Sequence, residues 1–166
     1  SRAQREDVQT VMSARHTIKE NKKATELLID QILEFLDVEL EGKRVFELGC
    51  GIGRMTEILA KRAKSVLAID FSYKMLDKAK NNLKNLKNIE TRLTKIFTIK
   101  EKFDLVFESI VLLHILCPAE LKQTIDKMKE LSDTIFICEH TYEGPDFPIS
   151  RFSILRNPEE YEELFK

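Results

Sequence analysis

The chain is expected to fold as an α/β domain, a doubly wound and mostly parallel sheet with helices on both faces in three layers. Three observations predict it. Short β-branched or aromatic runs alternate with helical patterns five times along the chain. Several of these runs are continuously apolar, as strands covered on both faces require. The 166 residues, 43% apolar and 33% charged, suit one domain with one core.

The first residues, 1–23, are polar and irregular and read as an arm or a short helix. From Ala24 to Leu40, Leu28, Ile32, Phe35 and Leu36 recur at helical spacing, and Gly42 follows as a stop. Arg44–Leu48 is a short strand running into glycines, and a helix is expected from Arg54 to Arg62. Ser65–Asp70 is the next buried strand. Ser72 then suits the N-cap of a helix whose apolar face is Met75, Leu76, Ala79 and Leu83. Ile89–Leu93 and Phe103–Phe107 are the third and fourth strands. Pro118 sits at the tolerated first position of a helix carrying Leu121, Ile125 and Met128, and Thr134–Cys138 is the fifth strand. Asn157, Pro158, Glu159 and Glu160 supply the cap, proline and acidic first turn of a last helix bearing Tyr161, Leu164 and Phe165. The polar run from Asn81 to Asn88 reads as a helix end entering a turn rather than a phosphate patch.

Charge narrows the function. Lys plus Arg is 27 against 28 for Asp plus Glu, a net charge of -1, so nucleic acid is an unfavoured partner. The three cysteines, Cys50, Cys117 and Cys138, form no metal-ligand pattern, so no metal and free thiols in a cytoplasmic protein are expected. The most apolar stretch, Ile110–Cys117, is far short of the ~20 residues that cross a bilayer, so no membrane partner is expected.

The most informative stretch is Glu47-Leu48-Gly49-Cys50-Gly51-Ile52-Gly53-Arg54. Glycines at alternate positions between a strand and a helix permit a tight turn and close approach of a ligand to the backbone. Asp70 ends the next strand, where an acid can accept from two ribose hydroxyls. The pair points to an adenosine-containing ligand. The dinucleotide fingerprint needs a glycine where Arg54 stands, so a nicotinamide dehydrogenase is disfavoured.

The run Val45–Arg54 resembles the first motif of the class I S-adenosylmethionine-dependent methyltransferases, acidic-x-Gly-x-Gly-x-Gly. The resemblance continues through Val66–Leu76, Phe103–Phe107 and Ile110–His114, and spans Leu27 to Cys138 in order. It implies a Rossmann-like fold, S-adenosylmethionine as cofactor with S-adenosylhomocysteine as product, and a transferase of methyl groups. By the resemblance, Glu47 and the turn Gly49, Cys50, Gly51 and Gly53 hold the methionine end. Asp70 takes the ribose, with Phe71, Ser72 and Met75 near the adenine. Glu108 and Ser109 lie near the sulfonium and the acceptor.

Two departures follow. The region Leu93, Thr94, Lys95 and Ile96 lacks the acid that usually reads the adenine amine, so backbone groups there are expected to serve. The family's sheet usually closes with antiparallel sixth and seventh strands, and here these are expected to be missing or shortened, leaving residues 24–166 as the methyltransferase domain.

On the acceptor side His114 is a candidate general base or a packing histidine, since imidazole titrates near neutral pH. Glu108 and Glu139 are candidates for catalysis, and His140 for orienting the acceptor. Arg15 and His16 lie in the arm expected over the cofactor, and Tyr142, Phe147 and Phe152 wall a pocket or pack a lid. The Asn/Asp-Pro-Pro-aromatic run of nucleobase amine methyltransferases is absent. The expected acceptor is therefore a small molecule or a sugar or lipid-linked group, methylated on O or N. A cofactor-binding module of a larger protein and an RNA or protein methyltransferase are the alternatives.

Overall fold

The computed structural model describes residues 18–35 and 37–166. Two compact units divide between Thr94 and Lys95. The first holds α1 (Ile18–Phe35), β1 (Arg44–Leu48), α2 (Arg54–Ala60), β2 (Ser65–Asp70), α3 (Tyr73–Leu83) and β3 (Ile89–Leu93). Its strands lie side by side as β3-β2-β1, all parallel. Leu48 faces Ile69 and Asp70 faces Leu93, so Glu47 and Asp70 come to the carboxyl ends of neighbouring strands. The core is built from Val45, Phe46, Leu59, Ala68 and Ile69, all at most 1% exposed.

The helix α1 begins at Ile18, ahead of the expected Ala24, because its buried face is partly polar. Asn21, Thr25 and Ile29 are buried one turn apart, and apolar periodicity does not signal a face of that kind. Its end also precedes the glycine stop. Asp37 takes the left-handed conformation (φ 51°), and the Val38 N–H donates to the Leu33 carbonyl at 2.9 Å. Residues 18–23 of the expected arm are thus helical, while Arg15 and His16 lie outside the described residues. Ser72 caps α3 as expected, accepting from the Met75 N–H. Asn88 explains why α2 stops at Ala60, since its side chain donates to the Ala60 and Ala63 carbonyls at 2.7 and 3.1 Å.

The second unit holds β4 (Leu105–Ser109), α4 (Pro118–Leu131), β5 (Ile135–Cys138), β6 (Phe147–Ser150), β7 (Ser153–Leu155) and α5 (Pro158–Phe165). Its 3-10 turns are Ile96–Thr98 and Leu112–His114. The strands β4 and β5 are parallel, with Phe107 stacked on Phe136 at 5.1 Å. The strand β4 starts two residues later than expected. The preceding Phe103 N–H is taken by the Leu131 carbonyl at the end of α4, and burial begins at Leu105. Asn157 caps α5 through the Glu160 N–H, as its sequence implies. A finding the sequence did not suggest is the antiparallel hairpin β6–β7, a two-stranded sheet of its own. All four residues of β6 are exposed, so no alternation of burial marks them. Tyr142, Phe147 and Phe152, expected as a pocket wall or lid, are about half exposed on and beside this hairpin.

The α/β class and the parallel strands agree with the expectation. Among the described residues no helix is long and apolar enough to cross a membrane, and no cluster of side chains suits a metal ion.

Candidate functional site

The glycine turn follows from backbone geometry. Gly49, Gly51 and Gly53 all have positive φ (72°, 56° and 83°), a region other residues enter at a cost. The turn is closed by the Cys50 N–H on the Ile69 carbonyl and the Gly53 N–H on the Cys50 carbonyl, both at 2.9 Å. A Cβ at Gly53 would meet Leu83 Cδ1 at 2.7 Å, whereas nothing lies within 4 Å of one at Gly51. Gly53 is thus a packing glycine, and Gly51 leaves open space beside its backbone.

Asp70, expected at the ribose, is tied to the backbone of the first unit's own turns. Its Oδ2 accepts from the Gly51 N–H at 2.8 Å and its Oδ1 from the Ser72 N–H at 2.7 Å. Each carboxylate oxygen keeps a second acceptor site, so the acid can fix the turn and still receive hydroxyl donors. The side chain is 7% exposed.

Glu47 lies inside β1 at 3% exposure, and its Oε2 has no hydrogen-bond partner. Burial pushes its carboxyl up to about 7, with the Asp70 charge adding, while the Thr56 hydroxyl and the Arg54 guanidinium oppose the rise. A buried, unpartnered carboxyl oxygen is costly unless something cationic or protic comes to it. Burial and the Glu47 and Asp70 charges raise the Cys50 thiol strongly, which leaves it an inert packing group. Phe71 is exposed, and Ser72 and Met75 are half-buried at the start of α3. A cavity of about 110 Å³ beside Gly53 and Arg54, lined by Lys22, Glu57 and Asn82, has room for water but not for a nucleoside.

Thr94 donates its N–H to the Asp70 carbonyl at 3.1 Å. In the second unit Lys95 is exposed and paired with Glu120 at 3.5 Å, and Ile96 is buried at 3%.

The second unit brings Glu108 and Glu139 together at the carboxyl ends of β4 and β5. Glu108 is wholly buried, and its Oε2 accepts from the Val111 N–H at 3.1 Å. Glu139 Oε1 accepts from the Leu112 and Leu113 N–H groups at 2.5 and 3.2 Å. Burial raises both carboxyls, and the Glu139 charge raises Glu108 further. Glu108 is the deeper of the two and has fewer amide donors. Tyr161, on α5, is pushed up to about 12 by burial and by the Glu139 charge.

His114 ends the 3-10 turn and is exposed, with its Nδ1 at 2.9 Å from the Phe152 carbonyl. A carbonyl only accepts, so Nδ1 carries the hydrogen and Nε2 is left as an acceptor. His140 is exposed just past β5. Arg156, buried at 2%, escaped the reading of the sequence, which holds no local signal for it.

The family model of the methyltransferase domain matches residues 45–133. The chain belongs to that family. Phosphoethanolamine N-methyltransferase 3 of Arabidopsis thaliana is 30% identical over 146 residues, which are 82% of this chain and 29% of the relative. An uncharacterised RNA methyltransferase of Clostridium acetobutylicum is 35% identical over 92 residues, 52% of this chain and 20% of the relative. The methyltransferase domain thus spans less than a third of either. Phosphoethanolamine N-methyltransferase 1 of Haemonchus contortus, solved with phosphoethanolamine and S-adenosylhomocysteine, shares the fold at a TM-score of 0.70 and 23% identity. It is matched over 91% of this chain and 32% of its own. Structural neighbours of this methyltransferase domain hold S-adenosylmethionine or its product and have the class I, Rossmann-like fold.

Proposed function

We propose that the chain transfers a methyl group from S-adenosylmethionine to an oxygen or nitrogen of a small molecule. The observation that carries this reading is Glu47, a buried carboxyl with one oxygen unpartnered beside a glycine turn that leaves room at Gly51. That donor set fits a cofactor with an ammonium at one end and a nucleoside at the other. Glu47 and the turn would hold the amino-acid end, Asp70 the ribose, and Phe71, Ser72 and Met75 the adenine edge. Backbone groups of Thr94, Lys95 and Ile96 would read the base.

Bound S-adenosylmethionine supplies an activated methyl with its leaving group built in, so the protein's work is orientation. His114 Nε2 takes the proton of an acceptor hydroxyl or ammonium, since Nδ1 is occupied by the Phe152 carbonyl. Glu139 and Glu108 serve this base by fixing the turn that carries it. A small acceptor is favoured over RNA by the net charge of -1 and by the phosphoethanolamine relative, whose alignment covers more of the chain. A cytoplasmic site of action accords with the three free cysteines.

Titration calorimetry with S-adenosylhomocysteine and with NAD, followed by transfer from methyl-labelled S-adenosylmethionine, tests the reading. The acceptor arms are amino alcohols and their phosphates, phenols and sugars, and an RNA transcript. Label in a small acceptor is the expected result. Label in RNA alone moves the protein to the other class. Cofactor binding with no transfer makes it a binding module, and NAD binding without the sulfur compound overturns the proposal.

A further inference from the structure

The 3-10 turn Leu112–His114 is held by charge on both sides. Its Leu112 and Leu113 amides, with that of Val111, point at the Glu108 and Glu139 carboxyls. Its carbonyls face the buried Arg156, whose Nη1 donates to Leu112 O at 3.1 Å and whose Nη2 donates to Ile115 O at 2.6 Å. The Arg156 Nε lies 3.4 Å from Glu160 Oε1, so the guanidinium is engaged all round. Ile110, at the entrance to the turn, has φ 60°, a conformation a β-branched residue adopts only where its surroundings over-determine it. The short strand β7 grips the turn at two points, since the Phe152 carbonyl just before it accepts from His114 Nδ1–H and Arg156 just after it donates to the Leu112 and Ile115 carbonyls.

We propose that Arg156 is a positioning residue for His114: by fastening the turn to β7 it keeps the imidazole hydrogen on Nδ1 and leaves Nε2 as the proton acceptor. The inference rests on the reading of His114 as the base. A guanidinium fork can serve two carbonyls at once, and a lysine ammonium cannot hold both in that geometry. Arg156→Lys therefore keeps the charge and loosens the turn, and an unanchored imidazole returns toward the Nε2–H tautomer that it prefers in water.

Long-range proton–nitrogen NMR of the full chain, with its three histidines isotopically labelled, reads the tautomer without any turnover. His114→Gln assigns the signal, and His140 serves as internal reference. The expected result is Nδ1–H in the parent and a mixture richer in Nε2–H in Arg156→Lys, with S-adenosylhomocysteine affinity unchanged as proof of folding. Methyl transfer to the acceptor found in the survey is expected to fall roughly tenfold in the same variant. An unchanged tautomer in both Arg156→Lys and Arg156→Met overturns the proposal. Should Arg156→Met fail to bind S-adenosylhomocysteine, an unchanged tautomer in Arg156→Lys alone does so. Wild-type turnover in His114→Gln is a separate failure, which removes the base and the catalytic half of the proposal even where the tautomer shifts as expected.

Discussion

Two regions of this molecule solve the same backbone problem with different chemistry. In the first unit one carboxylate, Asp70, takes two turn amides, Gly51 and Ser72, and no second acid competes for them. In the second unit two acids, Glu108 and Glu139, share the amides of Val111, Leu112 and Leu113 between them. The first arrangement leaves Asp70 a spare acceptor site on each oxygen and places it beside an open glycine. The second buries two acids together, and burial raises both carboxyls. Under the proposed function the first turn receives the ligand, and the second holds still the imidazole that serves the acceptor.

The largest effect that would break this contrast concerns His114. If the second turn exists to present a base, His114→Gln should slow methyl transfer by about 10² or more while leaving the S-adenosylhomocysteine dissociation constant unchanged. Equal losses in both, measured by labelled transfer and by calorimetry, would make His114 a structural residue and the contrast false.

Next comes Glu47, whose raised carboxyl links the first site to pH. It titrates at about 7 in the folded chain against 4.5 for an unperturbed glutamate, so the native protein holds a proton that the unfolded chain gives up between those values. Stability therefore falls as pH rises from about 4.5 through 7, by up to about 3 kcal/mol for a shift of this size. Glu47→Gln should flatten that part of the pH profile in denaturant titrations. A cation meeting Glu47 reverses the preference, so cofactor binding near pH 6 should release protons, as read by calorimetry in buffers of differing ionisation enthalpy. No proton release would separate Glu47 from the ligand.

The two regions also differ in how far the sequence revealed them. The glycine turn, Asp70, the Ser72 cap and Pro118 were legible because each acts through neighbours in the chain or through one adjacent strand. The start of α1 was not, since Asn21 and Thr25 make a buried face that is polar: Thr25 donates to the Asn21 carbonyl, and Arg54 reaches Thr25 Oγ1. Arg156 was hidden for a different reason. Its partners at Leu112 and Ile115 lie more than forty residues upstream, and no periodicity connects them. His114 was visible as a residue but its tautomer was not, because that depends on a carbonyl in a hairpin whose exposed first strand has no burial pattern.

Asp70→Asn sharpens the comparison at intermediate size. An amide has one acceptor oxygen and turns a donor toward either Gly51 or Ser72, so one turn N–H loses its partner. Loss of a hydrogen bond to a charged group is about 1.5–3 kcal/mol, and it should appear both in unfolding free energy and in S-adenosylhomocysteine affinity. A loss in affinity alone would assign Asp70 to the ligand and not to the turn.

The smallest effect separates the two kinds of glycine. Gly51 and Gly53 both have positive φ, so alanine at either costs about 1–2 kcal/mol of backbone strain. At Gly53 the new Cβ also meets Leu83 Cδ1 at 2.7 Å, and the leucine end must shift, adding to the stability loss. At Gly51 no atom stands in the way, so Gly51→Ala should lose only the strain. Its methyl nevertheless enters the space assigned to the cofactor. Gly51→Ala is therefore the milder variant by denaturant midpoint and the more severe by S-adenosylhomocysteine binding, and the inverse order would place the ligand away from Gly51.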